Sequence, residues 1–165
     1  MKGFAGRPTT DFGRESLFNL LRSRVDLEGM EVLDLFAGTG MVSIEFASRG
    51  AASVFSVDSD AKAMRHLNRV FEEFDLDHCS AVRADVAGFL TRIPRGFDFV
   101  FADPPYDWPQ LKDLPQMITD SKALPADHWF VVEHGERMDL SASPGFQEMR
   151  KYGQVHFSFF KTETI

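Results

Sequence analysis

Apolar positions along this chain switch repeatedly between short buried runs and the three-and-four spacing of an amphipathic helix, and that succession predicts its elements. Leu17, Phe18, Leu20, Leu21 and Val25 recur at helical spacing behind the capping candidates of Arg7-Pro8-Thr9-Thr10-Asp11, predicting a helix from about residue 11 or 12 to 24. Glu31 to Phe36 reads as a first buried strand, Ala37-Gly38-Thr39-Gly40 turns the chain, and a helix begins at Met41 and stops at Arg49-Gly50. Ala51 to Val57 supplies a second strand, closed by Asp58-Ser59-Asp60. Ala63, Leu67, Val70, Phe71 and Phe74 then mark one face of a helix over about 61 to 74. Ser80 to Ala84 is a short third strand ending at Asp85, with a short helix around 86 to 92 behind it. Phe97 to Ala102 forms a fourth strand that stops at Asp103-Pro104-Pro105-Tyr106. A helix over about 110 to 120 follows Trp108-Pro109, and Trp129 to His134 makes a fifth strand. Two further runs, Phe146 to Lys151 and Val155 to Thr162, flank Tyr152-Gly153-Gln154 and predict a hairpin.

Strands alternating with helices and finishing in an antiparallel hairpin imply an α/β fold. The expected architecture is a Rossmann-like, doubly wound sheet of seven strands, mostly parallel, with helices on both faces. At 165 residues, with 44% hydrophobic content and no repeat or linker, the chain is expected to form one domain over 1–165. Residues 1–25 would form its N-terminal segment and first helix. Seventeen Phe against two Tyr make the aromatic content core material rather than an exposed stacking platform. No apolar run reaches the roughly 18 residues of a membrane span, and Met1 to Gly6 lacks the apolar centre of a signal peptide, so a cytoplasmic protein is expected. Cys79 is the one cysteine, which rules out an internal disulfide and a Cys-rich metal site. His66, His78 and His156 lack ligand spacing, and no metal is expected.

A net charge of −7 argues against a surface that attracts nucleic acid everywhere, though a local basic patch remains compatible with it. The N-terminal segment is itself net positive: Lys2, Arg7, Arg14, Arg22 and Arg24 stand against Asp11 and Glu15.

The glycine loop is the first candidate for chemistry. Gly38 and Gly40 fit a dinucleotide fingerprint, but Ser43 stands where its third small residue belongs. Asp34 just before the loop would oppose a pyrophosphate and suits a ligand carrying an amino group and a sulfonium cation. The ligand favoured is S-adenosylmethionine. Gly38 and Gly40 would let the backbone approach it beside Phe36, Asp58 would accept from its ribose hydroxyls, and Asp85 from the adenine amine with Val86 or Ala84 packing the ring. Each acid alone could be a helix cap. Four strand ends in succession carrying Asp34, Asp58, Asp85 and Asp103 point instead to one crevice.

Asp103-Pro104-Pro105-Tyr106 supplies the acceptor half. An exocyclic amine conjugated to a ring is a poor nucleophile. The Asp103 carboxylate and the Pro104 carbonyl can accept from its two N–H groups and aim its lone pair, while Pro105 locks the turn. Tyr106 and Trp108 can stack on the ring. His134 beside Glu133 reads as a satisfied strand-end residue.

With these residues in place the chain resembles the class I S-adenosylmethionine-dependent methyltransferases. More narrowly, it resembles the bacterial family that methylates the N2 amine of a guanine in small-subunit ribosomal RNA. The resemblance is carried by Arg7-Pro8-Thr9-Thr10-Asp11 with Arg14-Glu15 and Leu17-Phe18-Asn19, by Asp34 to Gly40, and by Phe97-Asp98 leading into Asp103 to Tyr106. It implies that the early segment lies across the cofactor and forms the substrate entrance, with Arg7, Thr10 and Arg14 beside phosphate or base. Family members usually carry a basic, glycine-containing hairpin ahead of this segment, where this chain has Met1 to Gly6. Either the start is shortened or RNA is gripped less extensively. The partner implied is ribosomal RNA, within an assembly particle whose bound proteins would add affinity, and the enzyme would act as a monomer. The acceptor turn alone also suits adenine N6 or a glutamine side chain. A non-catalytic assembly factor and a nicotinamide oxidoreductase are the competing classes.

Overall fold

The computed structural model describes residues 11–163. Its elements run α1 Asp11–Arg22, β1 Glu31–Leu35, α2 Met41–Ser48, β2 Ser53–Asp58, α3 Ala61–Glu73, β3 Cys79–Arg83, α4 Val86–Thr91, β4 Phe99–Ala102, a 3₁₀ turn Leu111–Asp113, α5 Leu114–Asp120, β5 Trp129–His134, β6 Phe146–Tyr152 and β7 Val155–Lys161. The seven strands form one sheet in the order β3-β2-β1-β4-β5-β7-β6. The first five are parallel, and β7 pairs antiparallel with both β5 and β6. The expected doubly wound sheet with its closing hairpin is therefore the observed one.

Both faces of the central strands are buried, which is why they read as continuous apolar runs. Val32, Phe99, Phe101, Val131, Phe157 and Phe159 meet Leu17, Phe18 and Leu21 of α1 and Val42 and Phe46 of α2. On the opposite face Leu33, Leu35, Val100, Phe130 and Val132 meet Val86 and Leu90 of α4 and Leu114 and Ile118 of α5. α3 lays Ala63, Met64, Leu67 and Phe71 on Ala81 of β3.

Register decides where the site lies. Leu35 stands opposite both Val57 and Ala102, and Asp58 opposite Arg83. The next residues, Phe36 and Asp103, therefore leave the sheet level with Asp58, and Asp85 follows two positions beyond Arg83. This shared edge is the carboxyl end of the parallel strands, where open α/β sheets bind ligands.

The boundaries differ from the sequence reading in instructive places. β1 stops at Leu35 because Phe36 has a φ of 60°, a left-handed conformation no strand continues through. β4 starts at Phe99 because the Phe97 N–H bonds to the Ala123 carbonyl instead of entering the ladder. The helix expected after Pro109 divides into a 3₁₀ turn and α5, with Pro115 in the first turn of α5, where its missing N–H costs nothing.

Candidate active site

The glycine loop hangs from β1 and is tied to β2. Its Ala37 N–H bonds to the Val57 carbonyl (3.0 Å), and its Gly38 N–H to Asp58 Oδ2 (3.0 Å). Asp58 Oδ1 accepts from the Asp60 N–H (2.9 Å). Asp58 thus holds the loop and the start of α3 in one position while sitting level with it. Gly40 closes the loop as the residue capping α2, with φ 79°, and a Cβ there would stand 2.3 Å from Leu67 Cδ1. Gly40→Ala combines a strained φ with a collision against a buried leucine. It is expected to lower stability by about 2–3 kcal/mol in a denaturant melt, more than Gly38→Ala, whose Cβ would meet only the Phe36 carbonyl at 3.9 Å.

Asp34 does not lie open to the crevice, which corrects the expectation of a carboxylate aimed at ligand. It is 1% exposed and accepts a hydrogen bond from Ser43 of α2, whose hydroxyl also lies 2.7 Å from Ser56 Oγ. Burial pushes the Asp34 carboxyl up to about 7, against the Ser43 bond that favours the charged form, with the Asp58 charge adding to the rise. Its Oδ1 has no hydrogen-bond partner among the described residues. A buried carboxylate with one unanswered oxygen, directly under a glycine loop, fits a ligand bearing cationic or N–H groups. Ser43, read from sequence as a lapse in the glycine fingerprint, is the residue that holds this acid.

The third acid has a local task. Asp85 caps α4, accepting from the Gly88 N–H (3.0 Å), and is exposed; Val86 beside it is 3% exposed. Capping leaves a carboxylate oxygen with spare acceptor capacity, so the assignment to an adenine amine stays compatible with it.

The acceptor turn follows β4. The Asp103 N–H bonds to the Leu35 carbonyl (3.2 Å), which couples the turn to the residue before the glycine loop. Pro104 is buried, Asp103 and Pro105 are half-buried, and the Trp108 N–H closes the turn on the Pro105 carbonyl (2.9 Å). Tyr106 is 40% exposed, and its ring lies over Gly135, where a Cβ would be 3.0 Å from Tyr106 Cδ2. Trp108 meets Phe36 edge to face, centroids 5.0 Å apart, so the two halves of the site touch through aromatic rings.

Phe36, Asp58, Asp85, Asp103, Pro105, Tyr106 and Trp108 thus gather at one edge, whereas Arg14 is paired with Asp11 (3.0 Å) on α1. Arg7 and Thr10 lie outside the described residues. Two features escaped the sequence reading. The strained φ of Phe36 carries no sequence signal, since its side chain is apolar like its neighbours. Gly135 stands alone after β5, and only the fold brings it beneath Tyr106. His134, 1% exposed, has Nδ1 2.9 Å from the Gly135 carbonyl and Nε2 2.7 Å from Ser158 Oγ. Since a carbonyl only accepts, Nδ1 is the donor, and burial lowers the pKa and favours the neutral ring. His134 is the satisfied strand-end residue expected.

Among the described residues, no helix is long and apolar enough to cross a membrane, and no three His, Cys, Asp or Glu gather as a metal site.

A sheet of this order, with an antiparallel seventh strand and a glycine loop after the first, is the class I methyltransferase fold. The chain belongs to the family described as Conserved hypothetical protein 95, whose model matches residues 1–161. The Bacillus subtilis protein described as "Putative rRNA methyltransferase YlbH" is 34% identical over 166 residues, covering 96% of this chain and 89% of that protein. "Ribosomal RNA small subunit methyltransferase D" of Escherichia coli is 27% identical over 160 residues, covering 95% and 80%. The solved structure described as "Putative methyltransferase yhhF from Escherichia coli" superposes with a TM-score of 0.84 at 26% identity, covering 97% of this chain and 89% of that one.

Proposed function

We propose that this chain is an S-adenosylmethionine-dependent methyltransferase acting on the exocyclic N2 amine of a guanine in small-subunit ribosomal RNA. The observation that carries the reading is the adjacency of its two halves: the glycine loop after β1 and the Asp103 turn after β4 leave neighbouring strands at one level, joined by the Asp103 to Leu35 hydrogen bond. The ribosomal substrate is supported by the names of the two relatives. Guanine is supported by the resemblance that runs through Arg7 to Glu15.

S-adenosylmethionine supplies a methyl group made electrophilic by its sulfonium. Phe36, Gly38, Gly40, Asp58, Asp85 and Val86 are the residues that would hold it, with the buried Asp34 beneath the loop supplying charge and no direct contact. The rest falls to Asp103, Pro104, Pro105, Tyr106 and Trp108. The Asp103 carboxylate and the Pro104 carbonyl accept from the two amine N–H groups, which turns the nitrogen lone pair out of the ring's conjugation and toward the methyl group. Tyr106 covers the base, and the buried proline keeps the acceptors in place before the substrate arrives. Asp103 need not be a strong base, since the amine nitrogen becomes acidic as it gains the methyl group.

Transfer of labelled methyl groups to ribosomal RNA, small-subunit particles, DNA and protein, with digestion to nucleosides, tests the reading. The expected product is N2-methylguanosine in small-subunit RNA. N6-methyladenosine would correct the base, and label confined to protein would overturn the assignment.

A further inference from the structure

We infer that the exposed face of α3 is a phosphate-docking stripe that positions RNA beside the active-site edge; this rests on the RNA reading above and deepens it. Lys62, Arg65 and Arg69 recur at intervals of three and four on the face opposite Ala63, Met64, Leu67 and Phe71, and all three are exposed. Such spacing aligns them along roughly 10 Å of helix.

Two observations separate this stripe from ordinary solvated charge. First, every ion pair among the described residues uses other cations: Arg14, Arg24, Arg49, Arg95, Arg150 and Lys161. Among the described residues Lys62, Arg65 and Arg69 have no carboxylate within 4 Å, so none of these spends their charge. Second, beyond its capping Asp60, the helix carries its charges against its own dipole. Lys62 occupies the first turn, and Glu72 and Glu73 the last. Helix stability favours acids first and bases last. In a protein of net charge −7, Lys62 at the unfavourable end of the helix and Arg65 and Arg69 in line behind it form a local basic stripe that the helix dipole does not call for.

The location fits. α3 begins three residues after Asp58, which holds the glycine loop, and it covers β3, three strands from β4 in the sheet. At the usual strand spacing β3 lies roughly 14 Å across the sheet from β4, with the stripe on the outer side of the helix that covers it. Exposed Arg83 reaches the same corner, its Nε donating to the Ser59 carbonyl (3.3 Å). An RNA strand delivering a base to Asp103 can lay neighbouring phosphates along α3. Contacts of this kind add affinity without sequence preference.

The test measures binding of a small-subunit ribosomal RNA transcript over a salt series, for the full chain and for the triple variant Lys62→Gln, Arg65→Gln, Arg69→Gln. The variant is expected to bind about tenfold or more weakly at low salt, and its log-log salt dependence to flatten by about two units. A triple variant with wild-type affinity and slope would overturn the stripe even if the enzyme methylates RNA. Binding is read separately from methyl transfer, so an unmethylated transcript would sink the functional reading and leave this measurement intact. A charge-keeping pair, Arg65→Lys with Arg69→Lys, is expected to bind like wild type; loss equal to that of the Gln variant would overturn a charge-based role. The melting midpoint of the Gln variant should stay close to that of wild type, because all three side chains are exposed and Lys62→Gln removes a base from the unfavourable end of the helix. Stripe-dependent binding to phosphatidylglycerol vesicles with none to RNA would also overturn the proposal.

Discussion

Asp103→Ala is expected to reduce methyl transfer to RNA by about 10²–10³-fold or more while leaving cofactor affinity within a few-fold of wild type. The separation follows from the fold. Asp103 reaches the site from β4, whereas the glycine loop is held by β1 and by Asp58 of β2, and neither of those contacts passes through the Asp103 side chain. Truncation leaves the buried Pro104 and the Trp108 to Pro105 hydrogen bond in place, so the turn keeps its shape and loses one acceptor. Labelled transfer and cofactor titration on the same preparation give both quantities. A variant that transfers methyl groups at the wild-type rate would return this turn to a structural role and favour the assembly-factor class.

Asp34→Asn is expected to stabilise the protein at neutral and higher pH, and to do so at the cost of ligand binding. The unfolded carboxyl titrates near 3.8, the buried one at about 7. Between those values the unfolded chain has released its proton and the folded chain has kept it, so folding stability falls as pH rises through that window and levels off above it. The full difference corresponds to roughly 4 kcal/mol as an upper bound. Asn fills the same space, can keep the Ser43 partner and carries no charge. Its advantage should be small near pH 4 and reach about 2–4 kcal/mol by pH 8, measured by denaturant melts across that range. Wild type and variant with parallel pH profiles would overturn the account. Under the proposed function, a cationic ligand seated on the glycine loop above the buried Asp34 draws the carboxyl back toward its ionised form. Cofactor binding should then tighten as pH rises through 7 in wild type and lose that dependence in the variant. Keeping an acid here at a cost to the fold is the usual signature of a residue retained for its ligand.

The order of elements was legible because periodicity and turn chemistry are local properties. Phe99 to Ala102 and Trp129 to His134 are runs that only a strand buried on both faces explains, and Asp103-Pro104-Pro105 stops the chain wherever it occurs. The face chosen by Asp34 was not legible. In a strand with one wet face its parity would have settled the matter, but here Val32 on its own side and Leu33 and Leu35 on the other are all buried. Alternation therefore carries no information about which helix layer the acid meets. Ser43 looked like a defect for the same reason: its partner lies nine positions away, across a loop.

Residue by residue, this chain by itself determined a glycine loop after its first strand, acids at or just past the ends of its second, third and fourth, and a rigid proline turn after the fourth. It also determined the basic spacing along α3, since three residues on one helix cannot avoid sharing a face. Tertiary structure alone decided that β4 lies beside β1, that Leu35 stands opposite Ala102, and that Phe36 meets Trp108. It likewise decided that Asp34 is buried with half its hydrogen-bonding capacity unanswered. The reason is range: helix faces and proline turns arise from neighbours a few residues apart, while strand order, register and burial of a single carboxylate depend on how distant apolar faces come together.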